Sequence, residues 1–271
     1  MQPTLGSLFA GIGGIDLGFE RAGFKTAWQV EIDPYCRKVL ARHFPDAERF
    51  EDVRRVGAGS LRRVDVIAGG FPCQDISNAG KRAGIDGERS GLWSEYARII
   101  GELRPRFVFV ENVTALLGRG LGRVLGDLAA LGFNAEWDCI PACSLGSPHR
   151  RDRLWLVAYP SGEGLEGLWS TFGISQEESI AGYVAALANT EKIQRLSELQ
   201  QRGVCTRTDG SSERISWSGL EWDEAQPLLC RVDDGLPNRS HRIEALGNAV
   251  VPQIPELIAR RIYDTLARPT P

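Results

Sequence analysis

The chain has 271 residues, 42% of them hydrophobic and 25% charged, as is ordinary for a globular protein large enough to fold without disulfides or a metal. No run of about 20 apolar residues predicts a membrane helix, and Met1–Gly6 lacks the basic and apolar pattern of a signal peptide. Six scattered cysteines and three histidines indicate neither a disulfide framework nor a zinc site. We therefore expect an intracellular protein with no metal and no membrane association.

Charge is distributed unevenly along the chain. The formal net charge is −3, and residues 159–242 hold 8 Lys and Arg against 13 Asp and Glu. A nucleic-acid partner favours a basic surface. Any such surface is therefore expected mainly outside this acidic region.

Apolar strands alternate with amphipathic helices over the first 158 residues. The predicted strands are Thr4–Phe9, Lys25–Val30, Val64–Ala68, Phe107–Val110, Phe133–Asp138 and Arg153–Ala158. The predicted helices are Ile15–Ala22, Pro34–His43, Leu92–Leu103 and Leu121–Leu131. This alternation predicts an α/β fold with a doubly wound, Rossmann-like sheet whose ligands bind at the carboxyl ends of the strands.

The alternation stops near Tyr159. Residues 159–242 are rich in Gly, Ser, Glu and Gln without clear periodicity, and a helical pattern resumes at Ile254–Leu266. We predict a main domain of residues 1–158 plus 243–271 and a small second domain of residues 159–242.

A glycine-rich turn follows the first predicted strand. Its residues Ala10, Gly11, Gly13 and Gly14 allow backbone N–H groups to approach a ligand closely. The pattern departs from the dinucleotide motif Gly-x-Gly-x-x-Gly, because position 16 is Asp. Glu31 ends the second strand, where a carboxylate can accept hydrogen bonds from ribose hydroxyls or simply face solvent. Asp52 can act on an adenine amino group or cap a helix.

Cys73 lies just beyond a third apolar strand, in Gly69-Gly70-Phe71-Pro72-Cys73-Gln74. A thiolate at the ligand edge of a sheet is a potential nucleophile, although a lone cysteine is more often structural. Glu111-Asn112-Val113 closes the next strand, so Glu111 is expected to face the same crevice. Arg151-Asp152-Arg153 begins another strand, and Gly247–Gln253 precedes the last helix.

With these residues the sequence resembles the bacterial and phage DNA (cytosine-5)-methyltransferases over residues 4–158 and 243–266. The motifs occur in the family's order: Gly70-Phe71-Pro72-Cys73-Gln74, Ser77, Gly80-Lys81, Arg89-Ser90-Gly91-Leu92 and Glu111-Asn112-Val113. The resemblance implies an S-adenosyl-L-methionine site lined by Phe9, Glu31, Ile32, Asp52, Val53, Pro72, Leu92, Asn248 and Val250.

The resemblance also implies the catalytic roles. Cys73 would attack carbon 6 of cytosine, Glu111 would bind nitrogen 3 and the amino group, and Arg153 would hold the carbonyl oxygen. Arg151 would support the active-site loop. Double-stranded DNA would be the partner of a monomeric enzyme acting on a flipped-out base, and a partner restriction nuclease stays open. In the small second domain, Thr206–Ser212 would be either a base-reading loop or a plain solvated loop.

The stretch Gln74–Gly91 contains four glycines with Lys81, Arg82 and Arg89. Connections longer than about 12–15 residues are usually functional or disordered, so this one predicts a basic lid that closes on a phosphate backbone. Three alternatives share parts of the pattern: an NAD-dependent oxidoreductase, a catalytically inactive DNA-binding relative, and an RNA cytosine-5 methyltransferase. The first would leave Cys73, Glu111 and Arg153 without a role. The RNA branch has a Cys-Phe-Thr signature, which this chain lacks.

Overall fold

The computed structural model describes residues 2–72, 92–142, 151–161 and 245–267, and the backbone of residues 204–206 and 212–214. Cys73 and the predicted lid Gln74–Gly91 lie outside these ranges. Among the helices in these ranges, none is long and apolar enough to cross a membrane.

A seven-stranded mixed sheet forms the centre of the fold. Its strands are β1 (Thr4–Leu8), β2 (Lys25–Val30), β3 (Glu48–Phe50), β4 (Val66–Gly69), β5 (Phe107–Val113), β6 (Phe133–Pro141) and β7 (Asp152–Pro160). The spatial order is β3-β2-β1-β4-β5-β7-β6. Strands β1 to β5 run parallel, and β7 is antiparallel to β5. The predicted α/β, Rossmann-like architecture is confirmed.

In the described part of the chain, the helices that connect or cover these strands are α1 (Gly14–Arg21), α2 (Pro34–His43), α3 (Leu92–Leu103), α4 (Leu116–Arg119), α5 (Leu121–Ala130) and α6 (Gln253–Ala267). Helix α2 begins where the sequence provides a cap and a proline, since Asp33 accepts hydrogen bonds from the N–H groups of Tyr35 (2.7 Å) and Cys36 (2.9 Å). Helix α3 buries Trp93, Tyr96, Ile99, Ile100 and Leu103, a spacing that places one apolar face on the sheet.

Several sequence-based boundaries were wrong by a few residues. Strand β5 continues through Val113 rather than ending at Val110, so Glu111 lies inside the strand and not after it. Strands β6 and β7 are also longer than predicted. Strand β3, which is only three residues long, and the short helix α4 were not predicted.

The chain divides into two compact units. One comprises Met1–Cys139, Arg153–Trp169 and His241–Pro271, and the other comprises Ile140–Asp152 and Ser170–Ser240. In the second unit, β8 (Val204–Thr206) and β9 (Ser212–Arg214) form an antiparallel pair. Residues 207–211 of the predicted base-reading loop lie outside the described residues. The predicted boundaries after residues 158 and 242 stay predictions.

Candidate active site

Polar and catalytically suited side chains gather at one edge of the sheet. Because β1 to β5 are parallel, the residues that follow Leu8, Val30, Phe50 and Gly69 emerge at the same edge as the end of β5. Strand β7 runs the opposite way, so its first residues lie at that edge as well. In doubly wound sheets this edge is where ligands bind.

The glycine-rich turn after β1 has an unusual backbone. Phe9, Gly11 and Gly13 have φ angles of 54°, 56° and 85°, a left-handed region that is readily occupied by glycine and rarely by phenylalanine. A Cβ atom on Gly11 would meet nothing within 4 Å, so the turn presents open space there. A non-glycine residue held in this region is a recurrent feature of ligand-binding sites.

Glu31 joins this turn to the segment after β2. Its Oε2 accepts a hydrogen bond from the Gly11 N–H (2.7 Å), and its Oε1 accepts one from the Asp33 N–H (2.8 Å). The carboxylate is partly buried and is held by these two hydrogen bonds. Each carboxylate oxygen can accept a further hydrogen bond, which leaves Glu31 suited to a ligand hydroxyl. The neighbouring Ile32 is 65% exposed and offers apolar surface beside it.

Asp52 follows β3 and caps a single 3-10 turn, Val53–Arg55. Its Oδ1 accepts from the Arg54 N–H (3.0 Å), and the Arg54 guanidinium spans both carboxylate oxygens at 2.8–3.2 Å. Hydrogen bonding from Arg54 lowers the pKa of Asp52, so the group is a charged acceptor at neutral pH. The capping role that sequence reasoning held open is therefore present, and it is compatible with an adenine contact.

The backbone that leads to Cys73 is held against β5. A Cβ atom on Gly70 would lie 2.5 Å from Glu111 Oε2, so only glycine allows this approach. The buried Asn112 donates through Nδ2 to the Phe71 carbonyl (3.2 Å) and accepts from the Val113 N–H through Oδ1 (2.8 Å). The path of the chain two residues before Cys73 is thus set by the end of β5.

Glu111 and Arg153 form an ion pair at the same place. Arg153 Nε lies 2.9 Å from Glu111 Oε1, and the two side chains are 12% and 20% exposed for Glu111 and Arg153 respectively. The antiparallel register pairs Val113 with Arg153 and Glu111 with Trp155. Side chains two residues apart on a strand share a face, so Arg153 points to the face that carries Glu111. The family resemblance assigns both residues to the same base, and in the structure the two side chains are in contact.

The segment before α6 approaches the glycine-rich turn. A Cβ atom on Gly14 would lie 2.9 Å from the Val250 carbonyl oxygen, so Val250 is in contact with the turn. Asn248 is exposed. Leu92, the first residue of α3, and Phe9 both pack partly buried against the same hydrophobic core as Val53. Pro72 is half-buried.

Arg151 belongs to the second compact unit and has an unusual backbone conformation. Its φ of 34° is positive, which is uncommon for a residue with a Cβ atom. Such backbone is found preferentially at functional sites. A positioning role for Arg151 stays a prediction.

Sequence reasoning missed the buried polar groups that support the site. Asp16 is fully buried in the first turn of α1, where it accepts from Ser7 Oγ (3.0 Å) and Gln29 Nε2 (2.9 Å). The available signal was a polar residue among apolar neighbours in each of two strands, Ser7 in β1 and Gln29 in β2. A second missed residue is Arg98 of α3, which donates to the carbonyls of Val53 and Val56.

The sheet order and the polar edge together define a Rossmann-like α/β protein with a ligand site at the carboxyl ends of its strands. Comparison with known proteins makes this more specific. The sequence profile of the C-5 cytosine-specific DNA methylases matches residues 4–222. The chain belongs to this family.

Individual relatives agree with this assignment. Type II methyltransferase M2.BsuMI of Bacillus subtilis is 37% identical over 160 residues, or 56% of this chain and 41% of that protein. Type II methyltransferase M.Eco47II of Escherichia coli is 38% identical over 175 residues, or 61% of this chain and 42% of that protein. The chain thus spans less than half the length of these two relatives.

A solved structure extends the agreement in fold. The methyltransferase EhMeth of Entamoeba histolytica superposes with a TM-score of 0.65 at 15% identity, covering 99% of this chain and 100% of that one. At this identity the likeness concerns the fold alone.

Proposed function

We propose that the chain is a DNA (cytosine-5)-methyltransferase that transfers a methyl group from S-adenosyl-L-methionine to carbon 5 of a flipped-out cytosine. One observation carries the proposal: the partly buried Glu111–Arg153 pair includes a carboxylate that lies beside Gly70, three residues before Cys73 in the chain. This arrangement supports a site in which an acid, a cation that holds the base and a nucleophile act at one edge of the sheet. The family membership supports the same reaction.

The residues at this edge fit the cofactor. The left-handed turn leaves open space for a ligand at Gly11, next to the Glu31 carboxylate that accepts from the Gly11 N–H. Glu31 retains acceptor capacity for ribose hydroxyls, and Asp52 is an ionised acceptor for the adenine amino group. Exposed Ile32 offers an apolar surface for the adenine ring. When bound, S-adenosyl-L-methionine supplies an electrophilic methyl group.

The chain's own residues perform the activation of cytosine. Carbon 5 is a poor nucleophile, so Cys73 attacks carbon 6 as a thiolate and forms a carbon–sulfur bond. Glu111 in its protonated form gives a proton to nitrogen 3, which leaves nucleophilic enamine character at carbon 5. Arg153 carries several N–H donors in one plane, so it can hold Glu111 and the carbonyl oxygen of the base together. After methylation, a water molecule takes the proton from carbon 5, the carbon–sulfur bond breaks to release the Cys73 thiolate, and nitrogen 3 returns its proton to Glu111.

A suicide substrate tests this proposal. Duplex DNA with 5-fluorocytosine at the target position is expected to form a denaturation-resistant complex only with S-adenosyl-L-methionine present, because fluorine cannot leave as a cation. Cys73→Ser is expected to abolish trapping and turnover while DNA binding persists, since phosphate contacts lie elsewhere. Cys139→Ser, which alters a half-buried cysteine of β6, is the matched control and should trap normally.

The same experiment separates the alternatives. An adduct mapped by mass spectrometry to another cysteine, or full turnover in Cys73→Ser, would overturn the nucleophile. Tritiated methyl transfer to transfer RNA but not to DNA would assign the RNA reaction. DNA binding with no methyl transfer to either substrate would assign an inactive DNA-binding protein.

A further inference from the structure

One arginine of helix α3, Arg98, is hydrogen-bonded to the main chain of the segment that follows Asp52. Nη2 of Arg98 donates to the Val53 carbonyl (3.1 Å) and to the Val56 carbonyl (2.8 Å). Next to it, Glu102 Oε2 accepts from the Ala58 N–H (2.8 Å). Three hydrogen bonds from one helix face therefore hold the main chain of residues 53–58.

Arg98 is itself held in place by carboxylates on α3. Its Nε donates to Glu95 (2.9 Å) and its Nη1 donates to Glu102 (2.7 Å). The guanidinium thus contacts two carboxylates and two carbonyls from a rigid planar group with five N–H donors. A lysine ammonium carries only three donors on a flexible stem, so it cannot reproduce this arrangement.

The held segment needs such external support. The 3-10 turn Val53–Arg55 is three residues long, and one turn has none of the cooperativity that stabilises a longer helix. The carbonyls of Val53 and Val56 accept their hydrogen bonds from Arg98, so removing the guanidinium leaves two partly buried acceptors without that donor. In the described residues, the Asp52 side chain is hydrogen-bonded to Arg54 and makes no hydrogen bond to α3.

We propose that Arg98 is a positioning residue that sets the adenine-recognising turn Asp52–Val53 of the cofactor site. This inference rests on the proposed function, because it assumes that Asp52 meets the adenine amino group. Arg98 does not touch the ligand; it acts through the backbone that carries Asp52.

Helix α3 has a second connection to the same site. The Tyr96 ring packs 6.3 Å from the Phe9 ring, centroid to centroid, and Phe9 begins the glycine-rich turn. The Tyr96 hydroxyl donates to the Phe109 carbonyl of β5 (2.9 Å). The helix is therefore fixed to the sheet. From that position Arg98 can hold the Asp52–Val53 turn at a constant distance from the glycine-rich turn.

The test compares two ligands in isothermal calorimetry: S-adenosylhomocysteine and S-inosylhomocysteine, in which an oxo group replaces the 6-amino group. Wild-type protein is expected to prefer the adenosyl compound by about 10-fold or more, the value of one hydrogen bond to a charged acceptor. Arg98→Met should weaken the adenosyl compound about 10-fold and reduce the preference to roughly 3-fold or less, because Asp52 is no longer held in place. Loss of general stability would weaken both ligands alike and leave the preference unchanged.

Two further variants complete the design. Arg98→Lys keeps the charge and should lose most of the preference; it decides the question if Arg98→Met does not fold. Arg260→Met removes an exposed arginine that pairs with Glu256 on α6 (2.7 Å) and should behave as wild type.

Each outcome has a distinct meaning. Retained affinity and preference in the folded Arg98 variants would overturn the inference alone. If wild-type protein binds the adenosyl compound without preference, Asp52 does not recognise the amino group and the inference is overturned. If wild-type protein binds neither compound, the proposed function fails and the inference falls with it.

Discussion

Replacing the buried Asp16 by asparagine is expected to stabilise the protein at neutral pH. Burial raises the pKa of this carboxyl from its ordinary value of 3.8 to about 6, although hydrogen bonds from Gln29 and Ser7 act in the opposite direction. The folded state therefore resists ionisation of Asp16. Asparagine has the same shape, carries no charge, and can still accept from Gln29 and donate to the Ser7 hydroxyl oxygen.

The size of the effect follows from the shift. A change from 3.8 to about 6 corresponds to roughly 3 kcal/mol at 1.36 kcal/mol per pKa unit. The folded pKa lies above the unfolded one, so between these values the folded state binds more protons and stability falls as pH rises. The destabilisation is absent below about pH 4 and complete above about pH 6. Because hydrogen bonds to a charged acceptor are stronger than those to an amide, we expect about 1–3 kcal/mol of net stabilisation in Asp16→Asn at pH 7.

Urea unfolding from pH 4 to pH 7.5 measures this directly. The difference in free energy of unfolding between Asp16→Asn and wild type should be small at pH 4, grow through pH 5 to 6, and then stay constant. Asp46→Asn, at an exposed position before β3, is the control and should show no such growth. A difference that is independent of pH, or that shrinks as pH rises, would refute the reasoning.

Two further predictions concern the site. Glu31→Ala should weaken cofactor binding about 10- to 100-fold, since hydrogen bonds to a charged group are worth roughly 1.5–3 kcal/mol, and Glu31→Gln should have a smaller effect; unchanged affinity in calorimetry would argue against this site. Asn112→Asp keeps the acceptor for Val113 but removes the donor to Phe71, so methyl transfer and alkylation of Cys73 by iodoacetamide should both slow about 10-fold or more with cofactor affinity retained; unchanged alkylation would contradict a positioning role for Asn112.

Local sequence features predicted much of this fold because they act over short distances. Helix α2 runs from Pro34 to His43 as predicted, since Asp33 supplies the cap and Pro34 the first helical residue. Helix α3 likewise follows from its apolar spacing. The acidic residue after β2 was also predicted, but its hydrogen bond to Gly11 was not, because 20 residues separate the two.

The direction of β7 could not be predicted from its residues. An apolar strand has the same composition whichever way it runs, and antiparallel pairing with β5 is a property of the chain path. Yet this direction is what brings Arg153 to Glu111. The motif order pointed to Glu111 and Arg153, and the antiparallel pairing of β5 and β7 explains why the two side chains meet. The role of Arg98 could not be predicted for a related reason. Its partners are backbone carbonyls 42 and 45 residues away, and every residue has a carbonyl, so the sequence does not indicate which ones it contacts.

The glycines of the site serve two different physical needs, and only one is visible in the sequence. Gly11 and Gly13 adopt left-handed backbone, which a glycine-rich turn predicts. Gly14 and Gly70 instead make room, the first for the Val250 backbone and the second for the Glu111 carboxylate. Because neither glycine has a side chain, the Val250 backbone can pack directly on Gly14 and the Glu111 carboxylate directly on Gly70. The glycine-rich turn and the Glu111–Arg153 pair are therefore held by packing before any ligand arrives. Such preorganisation lowers the cost of ordering the site on binding.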